Sequence, residues 1–258
     1  MRRWVVKAGS NMVCSGGPLL VRAWMNQVAQ LKRQNRIEVI WVTSGAIASA
    51  TERTDFKKNR RTLSEKQALS AIGQPLIMDL YNLALQTSGM LGAQVLLTYD
   101  DLMNKKRRTN FSNTIEQLLK WNVTPILNEN DAVATEEIKF GDNDTLSAKV
   151  ARVMGADRLI ILTDVEGLYD SDPRRNPGAQ LIHGLPGITK KTLNLAGSGA
   201  GTSRGTGGML SKLTAAREAA KGGIETWLVK GDLPHVLRRV AENEILGTRV
   251  RVQTRKRR

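Results

Sequence analysis

The stretch Thr124-Pro125-Ile126-Leu127-Asn128-Glu129-Asn130-Asp131 passes without a break from an apolar run into carboxylates and carboxamides, and the polarity resumes at Gly141-Asp142-Asn143-Asp144. A second apolar run, Arg158–Leu162, follows. Crowding so many groups that are costly to desolvate between two core strands serves ligand binding rather than folding. Strand, polar loop, then a helix from Asn143 is the order expected of an α/β sheet, whose ligands sit in loops at the carboxyl ends of strands.

The rest of the chain repeats that order. Trp4–Lys7, Ile37–Val42, Ala93–Leu97, Thr124–Leu127, Arg158–Leu162 and Glu225–Val229 read as strands rich in Val, Ile and Leu. They lack apolar-polar alternation, as strands covered on both faces do. Pro18–Gln34, Ser64–Gln86, Arg108–Trp121, Asn143–Met154 and Gly208–Lys221 read as helices between them. Ser64-Glu65-Lys66-Gln67 resembles a capping box, and Asn143 or Asp144 is placed to cap the helix that follows. The alternation predicts an α/β fold with a mainly parallel sheet between helical layers. No repeat is visible, and the glycine-rich stretch 197–205 reads as a mobile loop.

Composition bounds the possibilities. A chain of 258 residues with 41% apolar and 4% aromatic content can bury a core as one domain. No run of about 18 apolar residues occurs, so a membrane span is not expected. The N-terminal Met1-Arg2-Arg3 runs directly into a strand and reads as no signal peptide. Cys14 is the only cysteine, which points to a reducing cytoplasm and to a small turn residue rather than a catalytic thiol. The formal charge of +15 favours anionic partners. The basic residues are dispersed, however, apart from Lys105-Lys106-Arg107-Arg108 and the tail Arg249–Arg258, and no aromatics interleave them. A solvated basic surface is therefore preferred to a nucleic-acid site.

Candidate chemistry falls at the strand ends. Lys7 ends the first strand and Gly9 follows, where an ammonium and close-approaching backbone N–H groups suit phosphate, although by itself Lys-x-Gly reads by default as an exposed lysine near a turn. No Walker A pattern is present. Thr43-Ser44-Gly45-Ala46 ends the second strand with small hydroxyl residues and a glycine. Thr206-Gly207-Gly208-Met209-Leu210-Ser211-Lys212 leads into a helix and reads either as a phosphate cradle of glycines, lysine and helix dipole or as a flexible loop before a capped helix. Thr163-Asp164 either contacts a nucleotide or terminates its strand, and residue chemistry alone does not choose.

Taken in order, Lys7-x-Gly9, Thr43–Ala46, Asn128–Val133, Gly141–Asp144, Thr163-Asp164 and Thr206–Lys212 resemble the amino acid kinase family. Gln67-x-x-x-Ala71-x-Gly73-Gln74 and Gly247-Thr248 add to the likeness, which covers nearly the whole chain. It is closest to the members that phosphorylate glutamate, and Asn128–Ala148 is its most specific part. The resemblance implies a three-layer αβα sandwich over residues 1–248, with 249–258 as a basic tail. It implies that Lys7 and Lys212 bind the ATP phosphates and stabilise the transferring phosphoryl group, and that Asp144 holds both ammonium groups. Gly9, Thr163, Asp164, Thr206, Gly207, Gly208, Met209, Leu210 and Ser211 are then ATP-binding. Ser44, Gly45, Asp131 and Asn143 are substrate-binding. Mg²⁺ is expected to be held mainly by the nucleotide phosphates, with no protein metal site.

Further expectations come with the family. They are a homodimer or homotetramer, feedback inhibition by proline with the Ser64–Gln86 region as a candidate, and no membrane or nucleic-acid partner. The alternative acceptors are aspartate and acetylglutamate. Ala8 stands where the family often has a larger apolar residue, and Ser211 where threonine is common. Many relatives continue into an RNA-binding-type (PUA) module, whereas this sequence ends at Arg258. Glutamate's γ-carboxylate is already ionised at neutral pH, so no general base is required. His183 and His235, both outside the motifs, are expected on the surface.

Overall fold

A computed structural model describes residues 1–54, 56, 61–133, 143–197 and 208–252. Among them, eight strands form one sheet in the order β3-β4-β2-β1-β5-β7-β8-β6. These are β1 (Arg2–Ala8), β2 (Ile37–Val42), β3 (Gly92–Leu97), β4 (Thr124–Glu129), β5 (Arg158–Thr163), β6 (Gly184–Leu185), β7 (Glu225–Lys230) and β8 (Thr248–Val250). Every pairing is parallel except β7 with β8. The helices are α1 (Ser10–Asn35), α2 (Ala46–Arg53), α3 (Leu63–Gln86), α4 (Tyr99–Met103), α5 (Lys105–Lys120), α6 (Asn143–Val153), α7 (Lys190–Gly197), α8 (Met209–Lys221) and α9 (Val236–Ala241).

Strand parity divides the core into two layers. Trp4, Val6 and Ala8 of β1 face a cluster with Trp24 and Met25 of α1, Ile77 and Tyr81 of α3, and Val236 and Leu237 of α9. Val5 faces the opposite cluster with Ile115 of α5, Leu146 and Val150 of α6, and Leu213 and Ala215 of α8. This is the expected αβα sandwich. Period-2 geometry therefore turns Lys7, two residues after Val5, toward α6 and α8. The first strand runs up the middle of the sheet, with β2 on one side and β5 on the other. In sheets of this kind ligands sit at the carboxyl ends of such central strands.

All six expected strands are present, but several boundaries move for local reasons. Strand β4 continues through Asn128 and Glu129 because β3 pairs with it in register to the end, Leu96 with Asn128 and Leu97 with Glu129. Helix α1 starts at Ser10 rather than Pro18 and is broken at Gly17 (φ 56°), so Pro18 opens its second part. The N-cap of α3 is Thr62, not Ser64. Its hydroxyl accepts from Glu65 N, and the Glu65 carboxylate accepts from Thr62 N at 2.7 Å. Helix α5 begins at Lys105, three residues before its expected start, since the Asn104 side chain accepts from Lys106 N and Arg107 N at 3.0 and 3.1 Å.

The short elements β6, β8, α2, α4, α7 and α9 were not anticipated. Strand β8 takes in Arg249 and Val250, so the sheet runs two residues past the expected domain boundary at 248. Arg249 is tied to Glu225 at 2.6 Å and lies over the Trp227 ring. Gly247-Thr248 is structural: a side chain at Gly247 (φ 50°) would stand 2.1 Å from Leu228 O. The Thr248 hydroxyl accepts from Leu168 N and donates to Ile182 O, pinning the 168–182 excursion to β8.

Candidate active site

The centre of the site is one buried carboxylate between two buried ammonium groups. Lys7 leaves the carboxyl end of β1, Asp144 sits in the first turn of α6, and Lys212 in the first turn of α8. Lys7 Nζ lies 2.6 Å from Asp144 Oδ1, and Lys212 Nζ lies 3.1 Å from Oδ2. The three residues are 4%, 0% and 7% exposed, so all are withdrawn from water. The Ser211 hydroxyl also donates to Asp144 Oδ2, at 2.8 Å, so serine supplies the hydroxyl where threonine is common. Burial pulls the Asp144 carboxyl upward. The charges of Lys7 and Lys212 and the hydrogen bonds from Lys7 and Ser211 outweigh it and hold the group well below the usual carboxylate range. Two lysines against one carboxylate leave the triad with a formal charge of +1, which favours a second anion.

Around this triad lie the turns at the strand ends. Gly9 precedes α1, and a side chain there would stand 3.6 Å from Lys7 Nζ. Its bareness leaves the approach to that ammonium open. Gly208 caps α8, so Met209 and Leu210 open the helix, and the Ser211 N–H donates to Gly208 O at 3.1 Å. Thr163 ends β5 buried, while Asp164 is exposed beside it. The Asp164 carboxylate accepts from Thr163 Oγ1 at 3.2 Å and from Asn11 Nδ2 at 3.3 Å. Asn11 had no sequence signal beyond following the first-strand turn. Thr206 and Gly207 lie outside the described residues, as do Gly141 and Asp142.

A second polar group adjoins the triad on the β2–β4 side. Asn143 Nδ2 is within 2.6 Å of Thr43 O, 2.8 Å of Ser44 Oγ and 2.7 Å of Asn128 Oδ1. One amide therefore ties the ends of β2 and β4 to the residue preceding Asp144. Gly45 adopts φ 101°, open to glycine, and starts α2. Asp131 accepts from Ser70 Oγ at 3.0 Å. Burial pushes the Asp131 carboxyl above its ordinary value, against the opposing effect of that hydrogen bond. Cys14 packs beneath the turn, its Sγ 3.9 Å from Gly45 O, and burial pushes its thiol up. His183 and His235 are both exposed.

The described site residues thus gather at one edge of the sheet. Lys7, Gly9, Asp144, Gly208 through Lys212, Thr163 and Asp164 lie over β1 and β5. Ser44, Gly45, Asp131 and Asn143 lie over β2 and β4. Among the described residues, no three His, Cys, Asp or Glu side chains come together as a metal-ion cage. No helix among them is long and apolar enough to cross a membrane.

The amino acid kinase family model matches residues 2–230, and the chain belongs to that family. Its similar relatives are glutamate 5-kinases. That of Chromobacterium violaceum is 44% identical over 252 residues, 96% of this chain and 67% of that protein. That of Deinococcus radiodurans is 44% identical over 264 residues, covering 99% of this chain and 72% of the relative. In fold, the chain is similar to the aspartate kinase of Synechocystis, with a TM-score of 0.66 at 20% identity over 99% of this chain and 40% of that one.

Proposed function

We propose that this protein transfers the γ-phosphoryl group of ATP to the γ-carboxylate of L-glutamate, giving L-glutamyl 5-phosphate and ADP, the first step of proline biosynthesis. The observation that carries this reading is the Lys7–Asp144–Lys212 triad at the carboxyl edge of the sheet, in a chain similar over almost its whole length to glutamate 5-kinases.

The chemistry demands charge neutralisation rather than proton transfer. An oxygen of the γ-carboxylate attacks the γ-phosphorus, the bond to the ADP oxygen breaks, and no proton moves. The barrier is the approach of a carboxylate to a polyanion, along with charge developing on the transferring group. Lys7 and Lys212 flank that path and stabilise the charge. Asp144 keeps the two ammonium groups together when no phosphate lies between them. Gly9 and the N–H groups at the start of α8 receive phosphate oxygens. Thr163 and Asp164 border the nucleotide. Ser44, Gly45 and Asn143 receive the acid, and the Asp131 carboxylate pairs with its α-ammonium.

Mg²⁺ bound to the nucleotide supplies further positive charge at the phosphates. The residues present fit an ion carried by the nucleotide, because the Asp144 oxygens are taken by lysines and Ser211. Self-association into a dimer or tetramer, inhibition by proline near the acid site and a cytoplasmic setting complete the reading.

A coupled ADP-release assay with glutamate, aspartate and acetylglutamate, with and without proline, tests it. Glutamate-dependent release is expected. Release with acetylglutamate or aspartate but not glutamate would reject the acceptor.

A further inference from the structure

Helix α3 lies behind the acid-side turns and touches each of them through residues that play no part in the phosphoryl-transfer triad. Ser70 holds Asp131. Gly73 lets the backbone of Ala46 approach so closely that a side chain there would stand 1.8 Å from Ala46 O. About two turns further along α3, Tyr81 is fully buried, yet its polar end is not idle. The Trp41 indole donates to the Tyr81 hydroxyl at 2.8 Å. The Tyr81 and Thr43 hydroxyls are 3.0 Å apart, and Thr43 Oγ1 is 3.2 Å from Ser44 O.

Proton economy orders this chain. An indole N–H only donates, so the Tyr81 oxygen accepts from it. Thr43 has a single hydroxyl proton and two acceptors within reach. It goes to the Tyr81 oxygen at 3.0 Å, with Ser44 O at 3.2 Å as its second acceptor. The Tyr81 oxygen thus gathers the Trp41 and Thr43 donors beside the phenol's own proton, and joins α3 to the end of β2. Burial pushes the Tyr81 phenol well above its ordinary value, so it keeps that proton throughout the working range. Thr43 Oγ1 thereby also reaches the peptide between Ser44 and Gly45, in a turn that Asn143 holds from the site side.

We infer that Tyr81 is a positioning residue for the acid-binding turn Thr43–Gly45, fixing the peptide that presents Ser44 and the start of α2 to the acceptor carboxylate. The inference rests on the reading above that this turn receives the acid. It predicts a selective effect. Tyr81→Phe keeps the ring but removes the oxygen that accepts from Thr43, and Thr43→Val removes the donor in nearly the same shape. Each should raise KM for the acid by about three- to tenfold, the worth of one net hydrogen bond. KM for ATP and kcat should stay within about twofold, because Lys7, Asp144 and Lys212 are untouched. The double variant should be no worse than either single one, since both cut the same chain.

The experiment measures KM for ATP and for whichever of glutamate, aspartate or acetylglutamate supports ADP release, in wild type and the three variants. In parallel, amide exchange is followed over residues 43–50 and across α3. An acid-selective KM rise with faster exchange at 44–46 and unchanged protection in α3 supports the inference. Unchanged acid KM, an equal rise for ATP, or loosening of α3 as a whole overturns it. If another acid is the acceptor, the glutamate assignment falls while the comparison stands for that acid. If none is turned over, exchange at 44–46 decides by itself.

Discussion

At the residue scale, the cost of the site is concentrated in Asp144 and its two lysines. Two ammonium groups buried side by side repel, and the carboxylate between them offsets that repulsion only because both its oxygens are engaged. Lys212→Ala leaves Asp144 paired with Lys7, so the fold should survive. Turnover should fall by about 10²–10³-fold, the scale of a lost transition-state charge contact. The ADP-release rate at saturating substrates checks this; a loss under about threefold would remove Lys212 from the transition state.

Asp131 behaves oppositely. Its carboxyl is raised by burial. A raised carboxyl contributes stability that is complete below its unfolded value and lost as pH rises through the folded one. Asp131→Asn should therefore raise Tm at neutral pH, with the gain shrinking as pH falls through the raised folded value and gone below about 4, the ordinary carboxylate value. The same variant should raise KM for the acid. Thermal melts from pH 7 to pH 3, beside acid titrations, would show whether stability and binding trade in this way.

Among elements, α3 joins the acid-side loops to the core. Its motif Gln67-x-x-x-Ala71-x-Gly73-Gln74 adds to the family likeness, and Gly73 in it is needed for space. Any side chain there meets the Ala46 carbonyl, which belongs to backbone and cannot swing away. Gly73→Ala should cost about 1–3 kcal/mol, the scale of overpacking, and lower Tm by several degrees. An unchanged Tm would mean that α2 slides freely on α3.

Element existence was readable from the apolar runs, because strands buried on both faces are distinctive. Short elements such as α4, α7, α9, β6 and β8 were not, since two to eight residues carry no periodicity and exist only through their neighbours. Asn104 is an instance at a boundary. Its capping of Lys106 and Arg107 moved the start of α5 into a basic run that reads as surface charge. The Trp41–Tyr81–Thr43 chain was equally invisible, as each residue is an ordinary core or turn residue until the helix is docked.

For the whole molecule, the formal charge of +15 dominates the long-range field. Self-repulsion of that size opposes the compact state and is screened by salt. Raising KCl from about 0.02 to about 0.5 M should raise Tm by a few degrees, the Debye length falling from about 20 to about 4 Å. A flat or falling Tm would show that surface ion pairs such as Arg152–Glu218 and Arg239–Glu244 already balance the field.

The amino-acid order alone determined the β-α alternation, the double-faced burial of the sheet and the polar turns after its strands. These follow from local periodicity and desolvation cost. Which turns meet was decided only by tertiary structure. Lys7 and Lys212 stand near opposite ends of the chain, and they converge on Asp144 because β1 is central, its odd-numbered side chains face α6 and α8, and both helices begin at the same edge of the sheet.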